Sequence, residues 1–222
     1  MDKRIKKLGI IGIILILLIF GFVSCCKNLK IDEFTPTAVI FVIDSSASNQ
    51  AKLEEQKKFV KQVCNRIDPE DKIKIIRVSE EAYLIFEGSP HSTKNITDSM
   101  NEFTKYDSKD WGTAYGDGLE KAFIYAESMK KEGYRPAIIV VGDLENEGNK
   151  DRQLNWDKLP QDIKEFQKVA PELSMMFAYA HPQKLDVVKS KLIPVLGESK
   201  LVISTEQNID KSINVFLDSI ER

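Results

Sequence analysis

The chain has 222 residues, with 32 Lys plus Arg, 34 Asp plus Glu, two His and three Cys, for a formal charge of −2. That balance excludes a generally basic nucleic-acid binder. Three cysteines without a C-x-x-C pair exclude a disulfide-stapled miniprotein and a thiolate zinc site, and 42% hydrophobic with 30% charged residues is too apolar for disorder.

The charge is unevenly distributed. Residues 1–7 (MDKRIKK) hold four cations and one acid, and residues 8–26 hold no charge. Without residues 1–25 the chain has 28 cations and 33 acids, or −5. A cationic start followed by an apolar run is a signal peptide or a membrane anchor. Leu8 to Val23 is 16 residues, long for a cleaved apolar region of about 7–15 residues and short for a spanning helix of about 20. Phe22-Val23-Ser24-Cys25 resembles a bacterial lipobox, in which Cys25 would be lipidated, with Phe22 in place of the usual Leu. Lipoprotein, uncleaved N-terminal anchor and simple secretion all remain open. Under either tethered reading Lys3, Arg4, Lys6 and Lys7 stay in the cytoplasm and the body faces outside it. Residues 27–36 read as a linker, and 37–222 as one domain.

Within that domain strands and amphipathic helices alternate. Ala38–Ile43 is a continuous apolar run, the mark of a central strand buried on both faces. Lys52–Ile67 is helical, with Leu53, Phe59, Val60, Val63, Cys64 and Ile67 in one stripe. Asp71–Val78 and Ala82–Phe86 are strands joined by a short link, which makes the second antiparallel. Helices are expected over Ser92–Phe103 and Thr113–Lys131, with Gly133 as C-cap. A second apolar strand covers 136–141, followed by a long polar loop over 143–159. The remainder reads as helix 160–170, strand Met175–Ala180, helix 183–192, strand Leu201–Ser204 and helix 206–220. The expected fold is α/β and doubly wound: a mostly parallel sheet, one antiparallel edge strand and helices on both faces.

Ligands of such sheets bind beyond the carboxyl ends of the strands. Asp44-Ser45-Ser46-Ala47-Ser48 follows the first strand, Gly142-Asp143 follows the 136–141 strand, and Trp111-Gly112-Thr113 opens a helix between them. Two carboxylates and three hydroxyls form an all-oxygen set suited to a hard cation such as Mg²⁺. With only two carboxylates the ion keeps a water position, which a carboxylate from a partner would displace. Taken alone, each piece has an ordinary explanation: Asp44 as a helix cap, Thr113 as another, Asp143 as turn chemistry.

Asp44-x-Ser46-x-Ser48, Thr113 and Asp143, in this order on these elements, resemble the von Willebrand factor type A domain and its metal-ion-dependent adhesion site. Gly112-Thr113-Ala114-Tyr115-Gly116-Asp117-Gly118-Leu119 resembles that family's G-T-x-x-G-x-A-L helix start. The resemblance implies a Rossmann-like fold and a Mg²⁺ or Mn²⁺ site, with Ser46, Ser48 and Thr113 as direct or switchable ligands and Asp44 and Asp143 acting directly or through water. It also implies a protein partner that supplies an acidic residue. The departures are Gly142 and Leu144 around Asp143, and Trp111 where Gly is common.

Other chemistry finds little support. His91 and His181 read as surface loop residues, and neither G-x-S-x-G nor a P-loop occurs. Cys64 reads as core. Asn95-Ile96-Thr97 fits a glycosylation sequon that matters only in a eukaryotic secretory setting. The loop DLENEGNKD carries four acids, Asp143 to Asp151, which would tune partner choice or be simply solvated. The expectation is a non-enzymatic, membrane-tethered binding domain; the alternative is a metal-free scaffold of a cell-envelope complex.

Overall fold

The structure, a computed structural model, describes residues 35–102 and 112–220. Nearly all of the leader and linker, with Cys25, and also Phe103 and Trp111, lie outside the described residues.

Strands β1 (Thr37–Asp44), β2 (Lys72–Val78), β3 (Ala82–Gly88), β4 (Arg135–Val141), β5 (Ser174–Ala178) and β6 (Leu201–Ile203) form one sheet in the order β3-β2-β1-β4-β5-β6. Every pairing is parallel except β2 with β3. The short link Ser79–Glu81 permits only a hairpin there, and a register shift between Ile75 and Ile76 bends the pair.

Helices α1 (Leu53–Cys64), α2 (Thr93–Glu102), α3 (Tyr115–Lys131), α4 (Leu159–Gln167), α5 (Leu185–Leu196) and α6 (Ile209–Ile220) cover the two faces. Alternation along β1 decides which face each side chain meets. Ile40 and Val42 point into a cluster with Leu119, Ala122 and Ala126 of α3, Ile163 of α4 and Leu192 of α5. Val39, Phe41 and Ile43 point into another, with Phe59 and Val63 of α1, Met100 of α2 and Phe216 of α6. All eight residues of β1 are buried, which accounts for the unbroken apolar run.

Element boundaries shift by a few residues from the sequence reading, mostly at helix starts. The first helix is preceded by a 3-10 turn at Ala47–Lys52, the last by one at Glu206–Asn208, and α5 by one at Pro182–Lys184. The third helix begins at Tyr115 instead of Thr113, leaving Thr113 in the preceding loop with Ala114 at the N-cap. The polar loop after β4 does not stay free of structure: Lys150–Arg152 forms a 3-10 turn, and Leu144 and Leu154 are buried.

Candidate metal centre

Registers fix the site first. Ile43 lies beside Val141, so the residues that leave β1 and β4 emerge next to each other at the carboxyl edge of the sheet. Asp44 leaves β1 fully buried, and Asp143 leaves β4 partly exposed.

Asp44 is held by three donors. Oδ1 accepts the Ser46 backbone N–H at 2.8 Å, while Oδ2 accepts the Tyr115 hydroxyl at 2.8 Å and the Asn49 side-chain amide. Loss of water pushes the carboxyl up to about 6; the hydrogen bonds from Ser46 and Tyr115 oppose that rise, and the nearby charge of Asp143 adds to it. The same burial and the same two carboxylates push the Tyr115 phenol well above its usual value, so it remains a donor.

The two serine hydroxyls lie beside this carboxylate, and Thr113 is tied in by its backbone. Ser46 Oγ and Ser48 Oγ are 3.1 Å apart, with Ser46 buried and Ser48 exposed. Thr113 is 2% exposed, and its N–H donates to the Glu147 carbonyl at 3.1 Å. Asp143 Oδ1 accepts the Glu145 N–H at 2.9 Å, and its carbonyl accepts the His181 N–H at 3.1 Å, which stitches the β4 and β5 loops together. The exposed imidazole of His181 caps its own turn by accepting from Gln183 N–H, and its Nδ1 lies 4.0 Å from the Glu145 carboxylate.

The unusual neighbours of Asp143 have a steric explanation. Gly142 has φ +150°, and a Cβ there would sit 2.1 Å from the Tyr115 hydroxyl and 2.7 Å from Asp44 Cβ. Leu144 takes φ +66°, a left-handed conformation costly for a residue with a γ-branched side chain. Burial of its side chain, at 1% exposure, and the bond from its N–H to Tyr115 Oη at 3.3 Å oppose that cost.

Among the described residues no group of three or more His, Cys, Asp or Glu side chains is placed to hold a metal ion. Direct coordination would therefore depend on hydroxyls. The residues present fit a small hard cation in that way. The 3.1 Å between Ser46 Oγ and Ser48 Oγ matches the roughly 3.0 Å separating adjacent ligands of an octahedral ion with bonds of about 2.1 Å. Asp44, with three donors on it, retains about one of its four acceptor positions. Asn49 Oδ1 is buried and finds no partner among the described residues, an acceptor that a bound water would satisfy. Ser46, Ser48 and Thr113 would hold the ion, with Asp44 and Asp143 supplying charge behind them. The ion's contribution would be to attract an acidic oxygen ligand.

Sequence reasoning did not single out Asn49, Tyr115 or Glu147 individually. Asn49 directly follows the serine motif, Tyr115 stands inside the helix-start motif, and Glu147 belongs to the acidic loop, so each was adjacent to a signal without being one.

The doubly wound sheet carries its serine-rich loop at the carboxyl edge of an α/β domain. Residues 39–146, just under half of the chain, match the family model of the von Willebrand factor type A domain. A search of curated protein sequences found no match. Among solved structures, the conserved hypothetical protein BatB from Bacteroides thetaiotaomicron superposes with a TM-score of 0.56 at 17% identity, covering 84% of this chain and 100% of that one. An aerotolerance-related membrane protein from Bacteroides fragilis gives 0.55 at 15% identity, over 83% and 98%. Proximal thread matrix protein 1 from the mussel byssus, in a form with a zinc-occupied MIDAS motif, gives 0.56 at 13% identity, over 83% and 48%. The fold is that of a von Willebrand factor type A domain. Among the described residues no helix is long and apolar enough to cross a membrane.

Proposed function

We propose that this protein is a non-enzymatic binding domain that captures a protein partner through a Mg²⁺ or Mn²⁺ ion held by Asp44, Ser46, Ser48, Thr113 and Asp143. The observation that carries this reading is the pair of Ser46 and Ser48 hydroxyls at ligand-to-ligand spacing beside the buried Asp44 carboxylate. The partner would contribute an acidic side chain, since a neutral-rich ligand set leaves the ion electrophilic. The leader supports a body tethered to a membrane and facing out of the cytoplasm, with Cys25 as the lipidated residue under the lipoprotein reading. Isothermal titration with Mg²⁺ or Mn²⁺, on the wild type and on Asp44→Ala, tests the metal. Heat in the wild type that disappears in the variant is expected; a silent wild type would refute it. Mass spectrometry of the mature N-terminus tests the anchor, with an intact Met1 excluding lipidation.

One observation favours a second reading. Both oxygens of Asp44 are engaged by groups of its own chain, so this carboxylate also works as a strut joining β1, the 3-10 turn and α3. A metal-free scaffold of an envelope complex would need no more. In a pull-down with a partner, Asp44→Asn would then leave binding intact, and EDTA would change nothing.

A further inference from the structure

The loop after β4 brings one more carboxylate to the site. Ser48 Oγ donates to Glu147 Oε2 at 3.2 Å. From Ser46 Oγ through Ser48 Oγ to Glu147 Oε2, three oxygens follow one another at 3.1 and 3.2 Å. Both are hydrogen bonds in this structure, and each is also close to the roughly 3.0 Å between adjacent ligands of an ion with bonds of about 2.1 Å.

A carboxylate on a solvated loop would carry little weight, and this one is anchored on three sides. The Asn146 amide makes two 3.0 Å bonds to the backbone of Leu154, one through Nδ2 to the carbonyl and one through Oδ1 to the N–H, and closes the base of the loop. Leu144 and Leu154 are buried beneath it. The Glu147 carbonyl holds the Thr113 N–H at 3.1 Å. Gly148, at φ +74°, lies so close that a Cβ there would be 2.7 Å from Gly112 Cα. Glu147 therefore bridges the Ser48 and Thr113 loops with its backbone and side chain both engaged, and remains half-buried.

We propose that Glu147 is a metal ligand supplied by the chain itself, occupying the coordination position that an acidic partner side chain would take. This inference rests on the metal-binding reading above. It deepens that reading by making capture an exchange: the partner's carboxylate enters as Glu147 leaves, and loop 143–149 sets how readily it does so. The anchored backbone keeps the loop in place, and the moving part is the half-buried Glu147 side chain, held by the 3.2 Å bond from Ser48.

The test is titration of Mn²⁺ into wild type, Glu147→Gln and Asp44→Ala, each with and without excess acetate as a free carboxylate. Glu147→Gln is expected to bind Mn²⁺ about tenfold more weakly or worse, with its metal-free melting temperature unchanged. Acetate is expected to recover part of that loss in Glu147→Gln and to leave wild type unaffected. Equal Mn²⁺ affinity in wild type and Glu147→Gln would overturn the assignment while leaving the metal site standing. So would an acetate effect of equal size in both proteins, or weakened binding that acetate does not restore. A wild type that binds no Mn²⁺ would remove the metal reading and this inference together.

Discussion

The Tyr115 hydroxyl stands between Asp44 and Leu144, donating to Oδ2 of the first at 2.8 Å and accepting the N–H of the second at 3.3 Å. One buried oxygen thus couples the β1 loop to the β4 loop through the first turn of α3. Tyr115→Phe keeps the ring and deletes the coupling, leaving a buried N–H without its acceptor. A loss of about 1–3 kcal/mol is expected, read as a lower urea midpoint at unchanged m-value.

Gly142→Ala should be more damaging. Its new methyl would meet the Tyr115 hydroxyl at 2.1 Å, on a backbone with φ +150°. Strain and overpacking each cost about 1–3 kcal/mol, so a combined loss of about 3 kcal/mol or more is expected. Adding Tyr115→Phe removes one colliding atom. The double variant should therefore lose less than the two singles together, by about 1 kcal/mol in a double-mutant cycle.

Gly118→Ala sets two local effects against each other. Alanine favours the helix by about 1 kcal/mol, yet its Cβ would lie 2.6 Å from Val78 Cγ2 and 2.8 Å from Val42 Cγ1. Overpacking at a sheet–helix contact costs about 1–3 kcal/mol, so net destabilisation is expected. An increase in melting temperature would show that α3 can lift off the sheet.

Cys64, the free cysteine among the described residues, is 1% exposed on α1, and burial pushes its thiol up to about 12. The unfolded chain has its thiol near the usual 9.0 and so gives up its proton first. The contribution of this group is complete below pH 9 and is lost as pH rises toward about 12. Cys64→Ala should flatten the decline in stability over that window. At pH 8, peptide mapping after iodoacetamide should find Cys64 unlabelled in native protein and labelled in urea.

Lys74 is nearly buried on β2, within 2.5 Å of Glu87 on β3 and 4.9 Å from the Tyr125 ring. Glu87→Ala leaves the buried cation without this counter-ion, whereas Lys74→Met replaces the pair's inner half with apolar volume. The second substitution should cost less than the first, as compared by thermal unfolding at low salt.

The architecture was legible because the runs 38–43 of β1 and 136–141 of β4 are apolar without interruption, and the stripe ending in Cys64 and Ile67 has helical spacing. Asp44, Ser46, Ser48, Thr113 and Asp143 could be picked out for the same reason: each directly follows a strand or precedes a helix. Helix starts were misplaced where 3-10 turns intervene, since Glu206 and Pro182 carry the same start signals as a full helix. Glu147 and Asn49 were not legible individually. Their significance comes from contacts between positions 48 and 147, and from a buried amide that a polar residue in a turn does not announce. Gly142 was read as a departure from a pattern; in three dimensions it is the space left for the hydroxyl of Tyr115.

The pairing of Ile43 with Val141 has a consequence for how this domain can diversify. Neighbouring strands are held about 4.8 Å apart by their hydrogen-bond ladder. The spacing of the two acids that follow is therefore set mainly by the sheet, and only secondarily by the loops. The exposed tip of that loop, residues 149–151, can be exchanged, as a tool head is changed on a fixed chuck, while the buried Leu144 and Leu154 and the Glu145 N–H on Asp143 keep the distance between Asp44 and Asp143. Grafting foreign residues at that tip would change the loop on an unchanged ruler.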